Sequence, residues 1–243
     1  MAAIVLSIGT THPWNVAGVG RDLVVGSAKK CRVFTAVAAV SAQNAAGVVA
    51  LGPVAQELFE AQLSVLPWES AGAVRVGALP TSASVRAVAQ ALATRAWLPA
   101  VVDPVFAASS GGELADRGAR DALEAELATL SNVILTPNLR EAAALLHLEE
   151  IARSTLAEAA ARLRARGAGA VLLTGGHLEG DPADALATSD GVEIFSEPRI
   201  AGAMHGTGCT LAMALACELA SGTPLPEAVR AARTFVRAEI ARH

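Results

Sequence analysis

A Gly-Thr-Gly-Cys run leading into an apolar stretch, "MHGTGCTLAMALA" at 204–216, is the part of this chain best equipped for chemistry. At a helix start, Gly206, Thr207 and Gly208 point successive backbone N–H groups at one spot, where the positive end of the helix favours an anion. Such a nest suits phosphoryl charge. The same residues also suit a plain tight turn, with Thr207 capping the helix and Cys209 packed as a small buried residue. "TPNLREAAALL" at 136–146 sets Asn138 and Glu141 at the spacing of an Asn-x-x-Glu capping box. One helical turn apart at a strand end, the amide and carboxylate can also hold a hydrated Mg²⁺ beside a triphosphate. One use does not exclude the other.

Three further positions carry the same double reading. Asp103 closes an apolar run in "VVDPVFAASSGG" at 101–112, where it serves a strand-ending turn or a metal ion and its waters. "GGH" at 175–177 is a turn, or the close approach of backbone to a nucleotide that only glycine permits. His12 lies in "GTTHPWNVAGVGRD" at 9–22, a loop between strand and helix, where an exposed histidine is expected. The "AGVG" in that loop lacks the three-glycine spacing of a dinucleotide fingerprint.

Positioning these residues requires alternating strands and helices. Short apolar runs bounded by Gly, Pro or Asp predict strands at 3–8, 36–42, 74–79, 99–103, 132–136 and 170–175. Helical periodicity predicts helices near 18–29, 54–65, 82–96, 115–129, 139–147, 155–166, 208–221 and 225–242. Two weaker strands, 184–188 and 192–197, flank "SDG" as a hairpin. The alternation predicts a mostly parallel, doubly wound sheet with ligands outside the carboxyl ends of its strands. His12, Gln43, Asn44, Asp103, Asn138 and Gly175 to His177 all follow strands in this scheme.

Composition narrows the function. Hydrophobic residues make up 53% of 243 and Tyr is absent, which suits an aliphatic sheet covered on both faces. A net charge of −4 without a basic block argues against nucleic acid as a partner. The cations are 17 Arg and only two Lys, Lys29 and Lys30. Cys31, Cys209 and Cys217 show no metal-ligand spacing and are odd in number, which argues against a disulfide framework. "MAAIVLSIG" has no basic leader, and no stretch reaches membrane-spanning length without a Gly, Pro or charge. A cytoplasmic protein is expected.

Taken in order, these segments resemble the hydroxymethylpyrimidine (phosphate) kinases of thiamine biosynthesis, in the ribokinase-like superfamily. The likeness runs through "AGVGRD", "TAVAAVSAQNAAGV", "VRVGAL", "VVDPVF", "LTPNLREAAALL", "VLLTGGHLEG", "FSEPRI" and "HGTGCTLAMALA". The related pyridoxal kinases usually carry aspartate where this chain has Cys209, which favours the pyrimidine branch. The resemblance implies a single domain over 1–243, a three-layer α/β/α fold, and phosphoryl transfer from ATP with Mg²⁺ to a small hydroxymethyl acceptor. It also implies a homodimer. By resemblance, Asp22 and Gln43 hydrogen-bond the aminopyrimidine, with Gly18 beside it and His12 in the covering loop. Asp103 and Glu141 serve the metal, and Asn138, Glu141, Thr174 and Gly176 the nucleotide. Gly206, Thr207 and Gly208 form the anion hole, and Cys209 faces the acceptor hydroxyl as a modest base, its thiol lowered from about 8.5 at a helix N-terminus.

The chain departs from the family pattern at the acceptor loop, "TTHPWNVAG" at 10–18, where His12 replaces an acid and Trp14, Asn15 and Val16 replace smaller residues. Thr174 stands where the family often has lysine, Ala78 where methionine is common, and Ser109 where Thr or Lys is common. Two alternatives follow from these departures. One is a pyridoxal-type kinase with an altered acceptor pocket; the other is an impaired paralogue that binds a pyrimidine or regulates.

Overall fold

The computed structural model describes residues 2–44, 46–108, 111–176, 178–202 and 204–242. Nine strands form one sheet in the order β3-β2-β1-β4-β5-β6-β7-β8-β9. The chain enters at the third position from one edge. β1 (Ile4–Thr11) lies parallel between β2 (Arg32–Asn44) and β4 (Ala73–Val76), and β5 (Ala100–Val102), β6 (Val133–Leu135) and β7 (Ala170–Leu173) continue the parallel run. Successive strands leave β1 in opposite directions, so a crevice opens at the carboxyl ends of β1 and β4.

The strands expected at 74–79, 99–103, 132–136 and 170–175 are shorter than their apolar runs, ending at Val76, Val102, Leu135 and Leu173. The strand expected at 36–42 is the centre of a 13-residue β2. β3 (Gly47–Pro53), antiparallel to β2 at the sheet edge, was not expected. Its signal is weak, since an edge strand exposed along most of its length needs no clean apolar alternation. At the other edge the expected hairpin is present as β8 (Ala183–Thr188) and β9 (Gly191–Ser196), both antiparallel.

Helices cover both faces. α1 (Gly18–Ala28), α7 (Thr207–Ala220) and α8 (Leu225–Ile240) pack on one side through Val25, Leu211 to Cys217 and Ala228 to Ala232. On the other lie α2 (Gln56–Ser64), α3 (Ser82–Ala93), α4 (Arg117–Ala122), α5 (Leu139–Leu146) and α6 (Leu156–Arg164). The helix expected at 115–129 is broken: after α4 a single π turn spans Leu123–Leu127, with Ala128 N donating to Leu123 O at 2.8 Å. α7 is buried from Thr210 to Cys217 on every side, as a helix apolar all round must be. That burial holds its N-terminus against the crevice. This is the expected three-layer α/β/α arrangement with a mostly parallel central sheet.

Candidate active site

The first turn of α7 is not capped by a side chain. Gly206, not Thr207, is the N-cap, in the left-handed region at φ +77°, with no side-chain hydrogen bond to the turn. A Cβ there would stand 2.1 Å from the Val16 carbonyl oxygen, so only glycine fits between the two loops. A Cβ on Gly208 would meet nothing within 4 Å. The N–H groups of Thr207, Gly208 and Cys209 therefore begin a helix with no capping side chain in front of them. The capping role expected for Thr207 is absent, while Thr210 N and Oγ1 both donate to the Gly206 carbonyl at 2.9 and 2.8 Å and hold the turn.

At the end of β6, Asn138 and Glu141 form the capping box in full. Glu141 N donates to Asn138 Oδ1 at 3.0 Å and Asn138 N to Glu141 Oε2 at 2.8 Å. Burial and the neighbouring Asp103 push the Glu141 carboxyl up to about 8. Asp103, at the end of β5, is also buried and raised, chiefly by desolvation. Two carboxylates that disfavour each other's charge fit a divalent cation, and Mg²⁺ takes only one or two protein carboxylates along with waters and phosphate oxygens. Among the described residues no group of three His, Cys, Asp or Glu could by itself hold a metal ion.

Asp22, on α1, is fully buried. Ser7 Oγ donates to its Oδ2 at 2.7 Å, while Oδ1 has no hydrogen-bond partner. Burial raises this carboxyl to about 6 against the pull of Arg75. An orphaned buried acceptor suits a ligand's N–H donor.

Arg75 was missed by sequence reasoning. It lies in "VRVG" on β4, is fully buried, and pairs with both Asp22 (Nη1, 3.4 Å) and Asp103 (Nη2, 3.0 Å). Burial works against its charge, but Asp22 and Asp103 outweigh it and keep the guanidinium protonated. A charged residue inside an apolar strand was the available signal.

The expectation of a lowered Cys209 thiol is overturned. The residue as a whole is partly exposed, but burial of its thiol pushes it up to about 11, with Arg75 lowering it and Asp103 and Asp22 raising it again.

The loop from β1 to α1 folds inward. His12 is buried, not exposed as expected, and its Nε2 accepts the Ala17 N–H at 3.3 Å, leaving Nδ1 without a partner. Burial lowers its pKa, so the ring is neutral. Trp14 is 58% exposed and points away from the packed interior. Gly18 opens α1 at φ +61° against the Thr10 carbonyl. Gln43 is half-buried beside a register shift near the end of β2, and its Oε1 accepts from Ser41 Oγ at 3.4 Å. Thr174 bridges to Asn138, and its Oγ1 donates to the Pro137 carbonyl at 3.3 Å. Gly176 faces open space, and Gly175 N is held by Asp184 Oδ1 at 2.8 Å. His177 and Ser109 lie outside the described residues.

The structure thus gathers Asp22, Arg75, Asp103 and Cys209 in one cluster, with Glu141 next to Asp103. A family model described as phosphomethylpyrimidine kinase matches residues 13–243. The chain belongs to the phosphomethylpyrimidine kinase family. A hydroxymethylpyrimidine/phosphomethylpyrimidine kinase of Rhizobium meliloti is 39% identical over 99% of this chain and 91% of its own length. That of Streptomyces coelicolor is 37% identical, over 98% and 88%. Among solved structures, a phosphomethylpyrimidine kinase of Clostridium difficile superposes with a TM-score of 0.85 at 25% identity, covering 98% of this chain and 99% of that one. The ADP complex of a Bacillus subtilis pyridoxal kinase superposes at 0.87 and 28% identity, covering 97% and 90%. This family member is a phosphotransferase with the ribokinase-like α/β fold. No helix among its described residues is long and apolar enough to cross a membrane.

Proposed function

We propose that residues 1–243 act as one kinase domain that phosphorylates 4-amino-5-hydroxymethyl-2-methylpyrimidine, its monophosphate, or both. The observation that carries this reading is the uncapped first turn of α7, facing a cluster of buried carboxylates. ATP with Mg²⁺ supplies the phosphoryl group, and Asp103 and Glu141 are the residues that would hold the metal. Asn138, Thr174 and Gly176 flank the nucleotide side. The N–H groups of Thr207, Gly208 and Cys209 stabilise charge on the group in transit, the largest contribution a loose transition state can use.

On the acceptor side, Oδ1 of Asp22 takes the amino N–H of the pyrimidine, and Gln43 and Gly18 line the same end. His12 braces the loop over the acceptor through Ala17 and does not reach out to it. Cys209 is a protonated thiol while Asp22 and Asp103 are both charged. Desolvation is the first cause of that rise, so Cys209 can take a proton only after its thiol has lost its own to water. As the acceptor oxygen bonds to phosphorus and the bond to ADP breaks, the hydroxyl proton passes to the Cys209 thiolate left once the thiol has lost its proton to water. A cytoplasmic homodimer completes the proposal; exposed Val40 and Val49 on the β2–β3 edge are consistent with a partner there.

The test is incubation with Mg·ATP and, separately, hydroxymethylpyrimidine, its monophosphate, pyridoxal or no acceptor, with products read by mass spectrometry. A pyrimidine mono- or diphosphate is expected. Preferential pyridoxal phosphate would select the pyridoxal-type reading. Thermal stabilisation by the pyrimidine without ADP release, alongside an active control kinase, would select the binding paralogue.

A further inference from the structure

A full positive charge sits where the middle of a sheet calls for an apolar side chain. Arg75 lies on the same side of β4 as Ala73, in the layer between the sheet and helices α1 and α7. It is level with Ser7 of β1, whose hydroxyl donates to the same Asp22 oxygen that Arg75 faces. The two ion pairs made by Asp22 and Asp103 among the described residues are both with this one guanidinium. Its Nε and Nη1 have no hydrogen-bond partner.

Room for the group is made by glycine. A Cβ on Gly77 would stand 1.9 Å from Arg75 Nη1 and 2.9 Å from Cζ, and one on Gly9 3.6 Å from Nη1. The guanidinium thus lies over Gly77, towards the carboxyl ends of the strands where the site is. A buried triad of two carboxylates and one arginine is poor as a source of stability, because an apolar trio of similar volume usually serves as well or better. Its value is geometric. The planar fork of arginine can hold two carboxylates on different elements at set positions, which the point charge of lysine cannot.

We propose that Arg75 is a positioning residue of the transfer site, tying the acceptor-side Asp22 to the phosphate-side Asp103 beside Cys209, with Gly77 as the gap that admits it. This rests on the reading of the site given above. Arg75 fixes the distance between the two halves of the site, so its loss misaligns transfer without weakening nucleotide binding. A misplacement near 1 Å costs on the order of 10²-fold.

The experiment compares Arg75→Lys and Gly77→Ala with wild type by circular dichroism, melting temperature, and steady-state kinetics with hydroxymethylpyrimidine. Gly77→Ala keeps the arginine and displaces it. In folded Arg75→Lys, kcat should fall at least tenfold while the KM for Mg·ATP stays within twofold, and Gly77→Ala should show the same split. A folded Arg75→Lys whose kcat falls less than tenfold overturns the proposal, as does an equal loss in kcat and nucleotide affinity. If Arg75→Lys does not fold, Gly77→Ala decides by the same criteria; failure of both to fold marks Arg75 as structural and also overturns it. Wild type is assayed first. If it transfers no phosphoryl group, the reading of function fails, and Arg75 is judged by calorimetry with hydroxymethylpyrimidine. There, tenfold weaker binding in the folded variant upholds the link to Asp22, and unchanged binding overturns it.

Discussion

At the start of α7 the site is made of main chain, whereas between β1 and α1 its shape is set by side chains. The α7 cradle needs only a glycine at φ +77° and a helix with no capping side chain. The β1–α1 loop instead depends on His12 accepting the Ala17 N–H and on Asn15, itself at φ +52°, lying where a Cβ on Gly20 would be. A backbone cradle reads the same in every sequence that keeps its glycines. A loop held by side chains can be rebuilt by a few substitutions. Such a contrast would let an acceptor end change while a main-chain anion site stays the same.

The strongest way to break the comparison is Gly206→Ala, whose Cβ must displace the Val16 carbonyl and with it the donors of the cradle. Turnover should fall by about 10³-fold, measured as acceptor-dependent ADP release. Next, Cys209→Ala should lower kcat by about 10²-fold with little change in ATP affinity; undiminished turnover would remove the thiol from proton transfer. Glu141→Gln keeps the capping geometry but can no longer ionise beside a metal, so kcat should drop about tenfold and more Mg²⁺ should be needed, an effect of about 1.4 kcal/mol. A magnesium titration of the variant reads it directly.

On the side-chain-built loop the effects should be smaller and should fall on the acceptor. His12→Leu leaves the Ala17 N–H without its acceptor, a cost of about 1–3 kcal/mol, and should raise the acceptor KM several-fold while the KM for ATP holds. Equal effects on both substrates would erase the distinction between the two ends.

The smallest effect concerns pH. The folded carboxyl of Asp22 is raised to about 6 and that of Glu141 to about 8, both above their unfolded values. Their contribution is therefore full below about pH 4 and is lost as pH rises through these values. Without ligand, the melting temperature should decline by a few degrees between pH 5 and 8, and in Glu141→Gln the part of that decline above pH 6 should shrink.

What could be read from the sequence follows the same division. The alternating strands and helices, the Gly-Thr-Gly turn and the Asn138–Glu141 pair were legible because each is a local pattern with a fixed spacing. Arg75 was not, since its meaning comes from Asp22 and Asp103, 53 and 28 residues away by number. His12 was expected in solvent because its partner, a main-chain N–H five residues on, has no signature. β3 was hidden by its exposed edge, and the π turn after α4 by an unbroken helical periodicity. The Cys209 thiol was misjudged because a helix terminus shows in sequence and the surrounding desolvation does not.

The contact of Gly206 with the Val16 carbonyl also bears on engineering. Transplanting residues 10–18 from a relative to change acceptor preference would press a differently shaped main chain against the turn before α7. The unit to exchange is the pair, 10–18 together with 204–209. A library that varies one loop and fixes the other should be dominated by inactive members, and one that shuffles both from the same donor should not.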